Sequence, residues 1–242
     1  EIIDLACFLK KMGAMISGEG SNTITITGVE KLYGAEYTVM PDRIEAGTFM
    51  IAAAITKGDV IVEKVREKDI KPILAKLSEA NVKTQKLDEN AFRIYTKEKL
   101  QPISLKTMPF PGFPTDMQAP FMSLLSTIKG MSVITETVFE NRFIHAAELQ
   151  RMGAKINIES RSAMIEGVDK LTGTQVKASD LRGGAGLILS ALAAEGKTEI
   201  SDIYHIERGY YHIEQKLKKI GADIEIKPWD FLRFYFFTIY FL

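Results

Sequence analysis

The stretch FIHAAELQRMGAKINI, residues 143–158, carries apolar residues at helical spacing, then a glycine, then a short alternating run. This pattern predicts an amphipathic helix followed directly by a strand. Glycine suits the junction, because a helix C-terminus often needs a left-handed residue. Three further copies of the motif are IIDLACFLKKMGAMI at 2–16, DIKPILAKLSEANVKT at 69–84 and YHIEQKLKKIGADIEI at 211–226.

The four junction residues recur at a nearly constant interval, which marks an internal repeat. A second helix type alternates with the first and is rich in Ala, Leu and Ser. Its three copies lie at 44–65, 116–138 and 181–203 and are apolar nearly all round, which is typical of buried helices. The junction residues Gly13, Ala80, Gly153 and Gly221 are separated by 67, 73 and 68 residues.

The repeats therefore predict an α/β fold, an inside-out α/β barrel of repeated βαβαββ units with helices inside and sheets outside. We expect three such units in residues 42–228. Residues 1–41 are expected to be the end of a preceding lobe, because the chain opens inside a helix, and the sequence looks truncated there.

The segment 229–242, WDFLRFYFFTIYFL, is far more aromatic than the rest of the chain. It is shorter than the roughly 20 apolar residues of a membrane span. We interpret it as non-native coding sequence, such as a shifted reading frame, with a peripheral membrane anchor as the alternative. If exposed, it would favour aggregation.

Composition excludes some classes of function. Lys plus Arg equals Asp plus Glu at 31 each, so the chain lacks the basic excess typical of a nucleic-acid partner. The single cysteine allows no internal disulfide and favours the cytoplasm. Cys7 lies on the apolar side of the first helix and is expected to pack. The histidines His145, His205 and His212 lack metal-ligand spacing, so no metal or other cofactor is implied.

Each buried helix has an aspartate at or just before its start: Asp42, Asp116 and Asp180. Such a residue can simply cap the helix. Alternatively, the three helix N-termini converge and form an anion site.

Arginines follow the strand after each buried helix. One cleft for a small anion could be lined by Arg142, Arg208 and Arg182, the last of which lies beside Asp180. Guanidinium groups bind phosphate and carboxylate through paired hydrogen bonds. Arg66 lies among charged residues and is expected to face solvent.

Six strings in this order resemble the UDP-N-acetylglucosamine 1-carboxyvinyltransferases, a branch of the enolpyruvyl transferase family, over residues 1 to about 228. The resemblance implies two lobes of three repeats each and addition–elimination chemistry without a cofactor, at the first committed step of peptidoglycan synthesis. The strings are PDRIEAGTF at 41–49, FPTDMQAP at 113–120, ITETVFENRF at 134–143, ELQRMGA at 148–154, DLRGGAG at 180–186 and IYHIERGY at 203–210.

The resemblance also implies residue roles. Asp116 corresponds to the proposed general base that contacts the sugar 3-hydroxyl, and Val138 to a backbone contact with the sugar. Asp180 corresponds to a residue that positions the neighbouring arginine. Three residues match family arginines that bind phosphoenolpyruvate and stabilise charge in the transition state: Arg142, Arg182 and Arg208. We predict that Asp116 and Arg208 are catalytic. Asp42 is added to the substrate-binding set from its place at a helix start.

Some family features are absent from the sequence. The loop cysteine that fosfomycin modifies, an N-terminal lysine and further arginines would lie in the first lobe, which we expect to be the partner of this chain. The second lobe of the family also includes an N-terminal segment, whose absence should leave an unpaired sheet edge. Gly183 replaces the usual alanine and should loosen Arg182.

Two other functions stay open. One is a 5-enolpyruvylshikimate-3-phosphate synthase-like enzyme, which shares the architecture without the strings FPTDMQA and TETVFENRF. The other is a non-catalytic relative that binds a sugar nucleotide. We expect the chain by itself to be inactive.

Overall fold

A computed structural model describes residues 1–228 and 235–241 and divides the chain into two units, with the second beginning at Arg43. No helix in these ranges is long and apolar enough to cross a membrane. The helices are α1 (Ile2–Lys11), α2 (Arg43–Ile55), α3 (Glu67–Glu79), α4 (Gln118–Leu125), α5 (Ala146–Arg151), α6 (Leu181–Ala191), α7 (Tyr204–Glu207) and α8 (Ile213–Lys219).

The strands are mostly short and follow the helices in the predicted alternation. They are β1 (Met15–Ser17), β2 (Thr25–Thr27), β3 (Asp59–Val62), β4 (Lys83–Asp88), β5 (Ala91–Tyr95), β6 (Ser104–Lys106), β7 (Gly130–Thr135), β8 (Lys155–Glu159), β9 (Ser162–Gly167), β10 (Leu171–Thr172), β11 (Gln175–Lys177), β12 (Ala194–Ser201), β13 (Asp223–Pro228) and β14 (Tyr235–Phe241).

The first unit consists of α1 and the antiparallel pair β1–β2. The Tyr37 hydroxyl donates to the Asp4 carboxylate over 2.9 Å, and the Tyr37 ring lies 5.1 Å from that of Phe8. Cys7 is exposed, so the expectation that it packs in a core is wrong.

The second unit is built on three buried helices, α2, α4 and α6, that contact one another. Every side chain of α4 is buried, as its apolar sequence predicts. Helix α6 approaches α4 closely at Gly186, where an added Cβ would stand 3.1 Å from the carbonyl oxygen of Ala119. The hydroxyl of Ser123 donates to the Gly186 carbonyl over 2.7 Å at the same crossing.

Each buried helix packs against a sheet of its own repeat, in the orders β3-β5-β4, β6-β7-β9-β8 and β10-β12-β14-β13, with β11 paired to β12. Buried and less buried residues alternate along β7 and β9, because one sheet face lies on the core and the other does not. The inside-out arrangement of helices within sheets is therefore confirmed.

The junctions between amphipathic helices and strands follow the predicted chemistry, with one correction. Gly153 and Gly221 have φ of +91° and +104°. Ala80 was expected to be the second junction residue, but its φ is −80° and the left-handed residue is Asn81, at +65°. Asparagine tolerates this conformation better than alanine.

The aromatic segment falls partly outside the described residues, which exclude 229–234 and 242. Residues 235–241 form β14, which lies between β12 and β13 and is antiparallel to both. Phe237 and Ile239 are fully buried. Strand β14 occupies the same position in its sheet that β5 and β9 occupy in the other two repeats.

Candidate active site

Asp116 lies in a single 3₁₀ turn, Thr115–Met117, that leads directly into α4. Pro114 precedes the turn in an extended conformation, with φ of −70° and ψ of 133°. The Asp116 carboxylate does not cap a helix. It is about one third exposed at the N-terminal end of the central helices.

Two arginines from different repeats converge on this carboxylate. Arg142 Nη2 donates to Asp116 Oδ1 over 2.8 Å, and Arg182 Nη2 donates to Oδ2 over 3.0 Å. Each guanidinium also faces an aromatic ring: Arg142 lies 4.7 Å from the ring centre of Phe139, and Arg182 lies 5.3 Å from that of Tyr210. The rings and the shared carboxylate hold both cations in defined orientations.

Arg182 retains hydrogen-bonding capacity. Its Nε and Nη1 atoms are buried and have no hydrogen-bond partner in the described part of the chain. Buried donors are nearly always paired in folded proteins. Two unpaired guanidinium donors beside a cavity are therefore suited to a bound carboxylate or phosphate.

Asp180 caps α6, which confirms the capping expectation at this position. Its Oδ1 accepts from the backbone N–H groups of Arg182 and Gly183, each over 2.9 Å, and the Ser179 hydroxyl donates to Oδ2 over 3.0 Å. Burial acts to raise the pKa of Asp180, but these hydrogen bonds outweigh it and lower the pKa. Asp180 thereby fixes the backbone from which Arg182 projects.

A cavity of about 580 Å³ opens over these residues. Five predicted site residues line it together: Asp116, Arg142, Asp180, Arg182 and Arg208.

The other two predicted residues are placed differently. Val138 is 38% exposed in the loop that leads to Arg142. Asp42 belongs to the first unit, and its role in the site stays a prediction.

Sequence reasoning missed several residues around the site. The Tyr210 hydroxyl lies 2.9 Å from Thr48 Oγ1, which links α2 to the ring beneath Arg182. The two residues are 162 positions apart, so no local pattern could have shown the pair. Phe139 had a signal, because it lies three residues before Arg142.

His145 was expected to be structural, and it is buried before α5. The pKa of His145 is lowered to about 4, mainly because the side chain is buried. The positive charge of Arg142 lowers this pKa further. Its Nε2 has no hydrogen-bond partner among the described residues. In the same ranges, no three His, Cys, Asp or Glu side chains are grouped as a metal site requires.

The sequence of this chain matches a known protein family and several curated proteins. The profile of the family described as EPSP synthase (3-phosphoshikimate 1-carboxyvinyltransferase) matches residues 1–217. A protein of Caldanaerobacter subterraneus subsp. tengcongensis named UDP-N-acetylglucosamine 1-carboxyvinyltransferase 1 is 57% identical over 93% of this chain and 54% of its own length. The protein of the same name from Staphylococcus aureus strain N315 is 51% identical over 93% of this chain and 53% of its own. The chain thus spans about half the length of these curated relatives.

Solved structures agree on the fold. The enolpyruvyl transferase NikO from Streptomyces tendae superposes with a TM-score of 0.80 and 28% identity, covering 91% of this chain and 53% of its own. EPSP synthase from Acinetobacter baumannii superposes with a TM-score of 0.64 and 20% identity, covering 84% and 47%. The second likeness concerns the fold alone.

Proposed function

Because the chain belongs to the EPSP synthase family of enolpyruvyl transferases, we propose that it supplies the second lobe of a UDP-N-acetylglucosamine 1-carboxyvinyltransferase. This enzyme transfers the enolpyruvyl group of phosphoenolpyruvate to the 3-hydroxyl of the sugar and releases phosphate. The proposed partner is the rest of the first lobe, whose C-terminal end would be residues 1–41. Residues 42–228 would form the second lobe, and residues 229–242 a segment without a family counterpart.

The observation that carries this proposal is the carboxylate of Asp116 held between Arg142 and Arg182, with two unpaired donors left on Arg182. A carboxylate near the sugar hydroxyl can accept its proton as oxygen attacks C2 of phosphoenolpyruvate and C3 takes up a proton. Loss of a proton from C3 and of phosphate from C2 then restores the double bond.

The arginines would hold the anionic substrate and stabilise the charge that develops in both steps. Arg142, Arg182 and Arg208 line one cavity, where preorganised cations act more strongly than in water. The backbone at Val138 would contact the sugar, and Asp180 would position Arg182. Asp42 is proposed as a further substrate contact.

The names of the relatives support the proposed acceptor. Curated proteins at 51% to 57% identity carry the UDP-N-acetylglucosamine name, whereas the EPSP synthase structure is 20% identical. Shikimate 3-phosphate is therefore the second choice of acceptor, and a non-catalytic sugar-nucleotide binder is the third choice of function. We also propose that the protein works in the cytoplasm, which the single cysteine favours.

The test is phosphate release by the chain alone and by the chain joined to the first half of the Caldanaerobacter relative. We expect no release by the chain alone, and release by the joined enzyme with UDP-N-acetylglucosamine that Asp116→Asn abolishes. Release with shikimate 3-phosphate instead would establish the second choice. Binding of UDP-N-acetylglucosamine without any release would establish the third.

A further inference from the structure

Glu136 is a buried acid that the proposed chemistry does not use. It follows β7 directly, and only 1% of it is exposed. Its carboxylate accepts four hydrogen bonds. Oε1 accepts from the Thr107 hydroxyl and the Val138 N–H, each over 2.8 Å, and from the Phe139 N–H over 3.1 Å. Oε2 accepts from the Thr115 hydroxyl over 2.8 Å.

These donors belong to the two segments that carry the candidate site. Strands β6 and β7 are parallel and adjacent, so they end at the same edge of their sheet. The chain after β6 runs through Thr107 and Thr115 to Asp116. The chain after β7 runs through Val138 and Phe139 to Arg142. The carboxylate of Glu136 lies between the two segments and is bonded to both.

A second contact fixes the direction of these hydrogen bonds. Thr137 N–H donates to Thr107 Oγ1 over 2.9 Å, and the Thr137 hydroxyl donates to the Thr107 carbonyl over 2.5 Å. Because Thr107 Oγ1 accepts from Thr137, its one proton is available for Glu136. Four donors point at the two oxygens of Glu136. A carboxylate can accept from all four, whereas a glutamine has only one oxygen, and its NH₂ group cannot accept a hydrogen bond.

We propose that Glu136 is a positioning residue that holds the Val138–Phe139 loop and the Asp116 turn in register for ligand binding. Its link to UDP-N-acetylglucosamine rests on the proposed function. Glu136 itself touches no reacting atom. It acts through the backbone of Val138 and through Phe139, whose ring faces Arg142, and through Thr115, which neighbours Asp116.

The first experiment measures amide hydrogen exchange by NMR in the whole chain, unaltered and with Glu136→Gln. Charge-assisted hydrogen bonds are about twice as strong as neutral ones. We expect exchange to become about tenfold faster at Val138 and Phe139 and to stay unchanged at Val133 and Ile134 of β7. Unchanged exchange at the loop, or an equal rise along β7, would overturn the proposal.

Thr115→Val and Thr115→Ser form a matched pair that keeps the test open if Glu136→Gln does not fold. The valine variant removes only the Oε2 hydrogen bond, and the serine variant retains a hydroxyl donor. We expect Val138 and Phe139 to keep their protection in both variants, because they bond to Oε1.

The second experiment measures by calorimetry the UDP-N-acetylglucosamine affinity of the same variants, each joined to the first half of the Caldanaerobacter relative. We expect affinity to fall about tenfold or more in Glu136→Gln, severalfold in Thr115→Val and less than twofold in Thr115→Ser. If the variants bind as the unaltered joined enzyme does, the positioning role is wrong. If the unaltered joined enzyme binds no UDP-N-acetylglucosamine, the proposed substrate is wrong, and the exchange comparison alone decides the role of Glu136.

Discussion

Arg66 and Arg142 both follow the strand after a buried helix, yet they have different partners. Arg66 Nε donates to Asp69, three residues further along the chain, over 2.5 Å. Arg142 reaches back 26 residues to Asp116. The connection from β3 to α3 covers only residues 63–66, whereas that from β7 to α5 covers 136–145. The longer connection carries its arginine over the end of the helices, so connection length, rather than the repeat, decides which arginine joins the site.

The largest effect is expected from removing an arginine of the converging pair. Arg142→Ala should lower the rate of phosphate release by the joined enzyme about 10²–10³-fold, as for loss of one preorganised donor. Rates at saturating and limiting phosphoenolpyruvate would measure it. Arg66→Ala is the matched control, and an equal loss in both variants would refute the contrast between the two connections.

The buried histidine of the longer connection should make stability depend on pH. His145 has a pKa of about 4 when folded, against 6.5 as its ordinary value, so the unfolded state binds more protons between these values. Stability is therefore lost as the pH falls below 6.5. At pH 5 the loss from this residue is roughly 2 kcal/mol.

Urea unfolding at pH 7.5 and pH 5 measures this loss, with His145→Gln as the control that removes the titrating group. Asp180 affects stability in a lower pH range. Because its pKa is lowered in the folded state, the stability that it contributes is lost only as the pH falls below the ordinary range of an aspartate. An equal pH dependence in the His145→Gln variant would contradict the assignment.

A moderate effect is expected at the cap of α6. Asp180→Ala removes an acceptor shared by two backbone N–H groups and should lower the free energy of unfolding by about 1–2 kcal/mol. Asp180→Asn keeps an oxygen acceptor, so we expect it to retain most of that stability. Chemical unfolding of the three proteins makes the comparison, and equal loss in both variants would show that charge rather than capping matters.

A smaller effect is expected from adding the methyl group at Gly183. An added Cβ would stand 2.8 Å from Asp180 Oδ2 and 2.9 Å from His145 Cβ, both held by other contacts. Crowding of this kind outweighs the better helix propensity of alanine, for a net loss of about 1 kcal/mol. Thermal unfolding of Gly183→Ala tests this. A gain in stability would instead favour the expectation that the glycine loosens Arg182.

The smallest effect is expected from Arg66→Ala itself. The Arg66 side chain is 35% exposed and that of its partner Asp69 is 11% exposed, so loss of this ion pair is expected to lower the free energy of unfolding by about 0.5–1 kcal/mol. Unfolding by urea should show a change within this range. A larger change would mean that the first repeat uses this arginine as more than a surface residue.

The sequence by itself determined the repeat, the three buried helices and five residues of the cavity. The spacing of apolar residues along a segment predicts which of its faces is buried, because a helix that is apolar all round is not stable in water. Helix ends can be predicted from the sequence because they require particular residues. Asp116, Arg142, Asp180, Arg182 and Arg208 could be chosen because each stands at a fixed point of its unit or in a family motif.

Only the tertiary structure decided which of these residues touch and what supports them. The pairing of Asp116 with Arg142 and Arg182, the Thr48–Tyr210 contact and the four hydrogen bonds of Glu136 join segments far apart in the chain. The placement of β14 between β12 and β13 is of the same kind. Such contacts depend on the paths of connections and on packing across repeats, which no local pattern of residue types records.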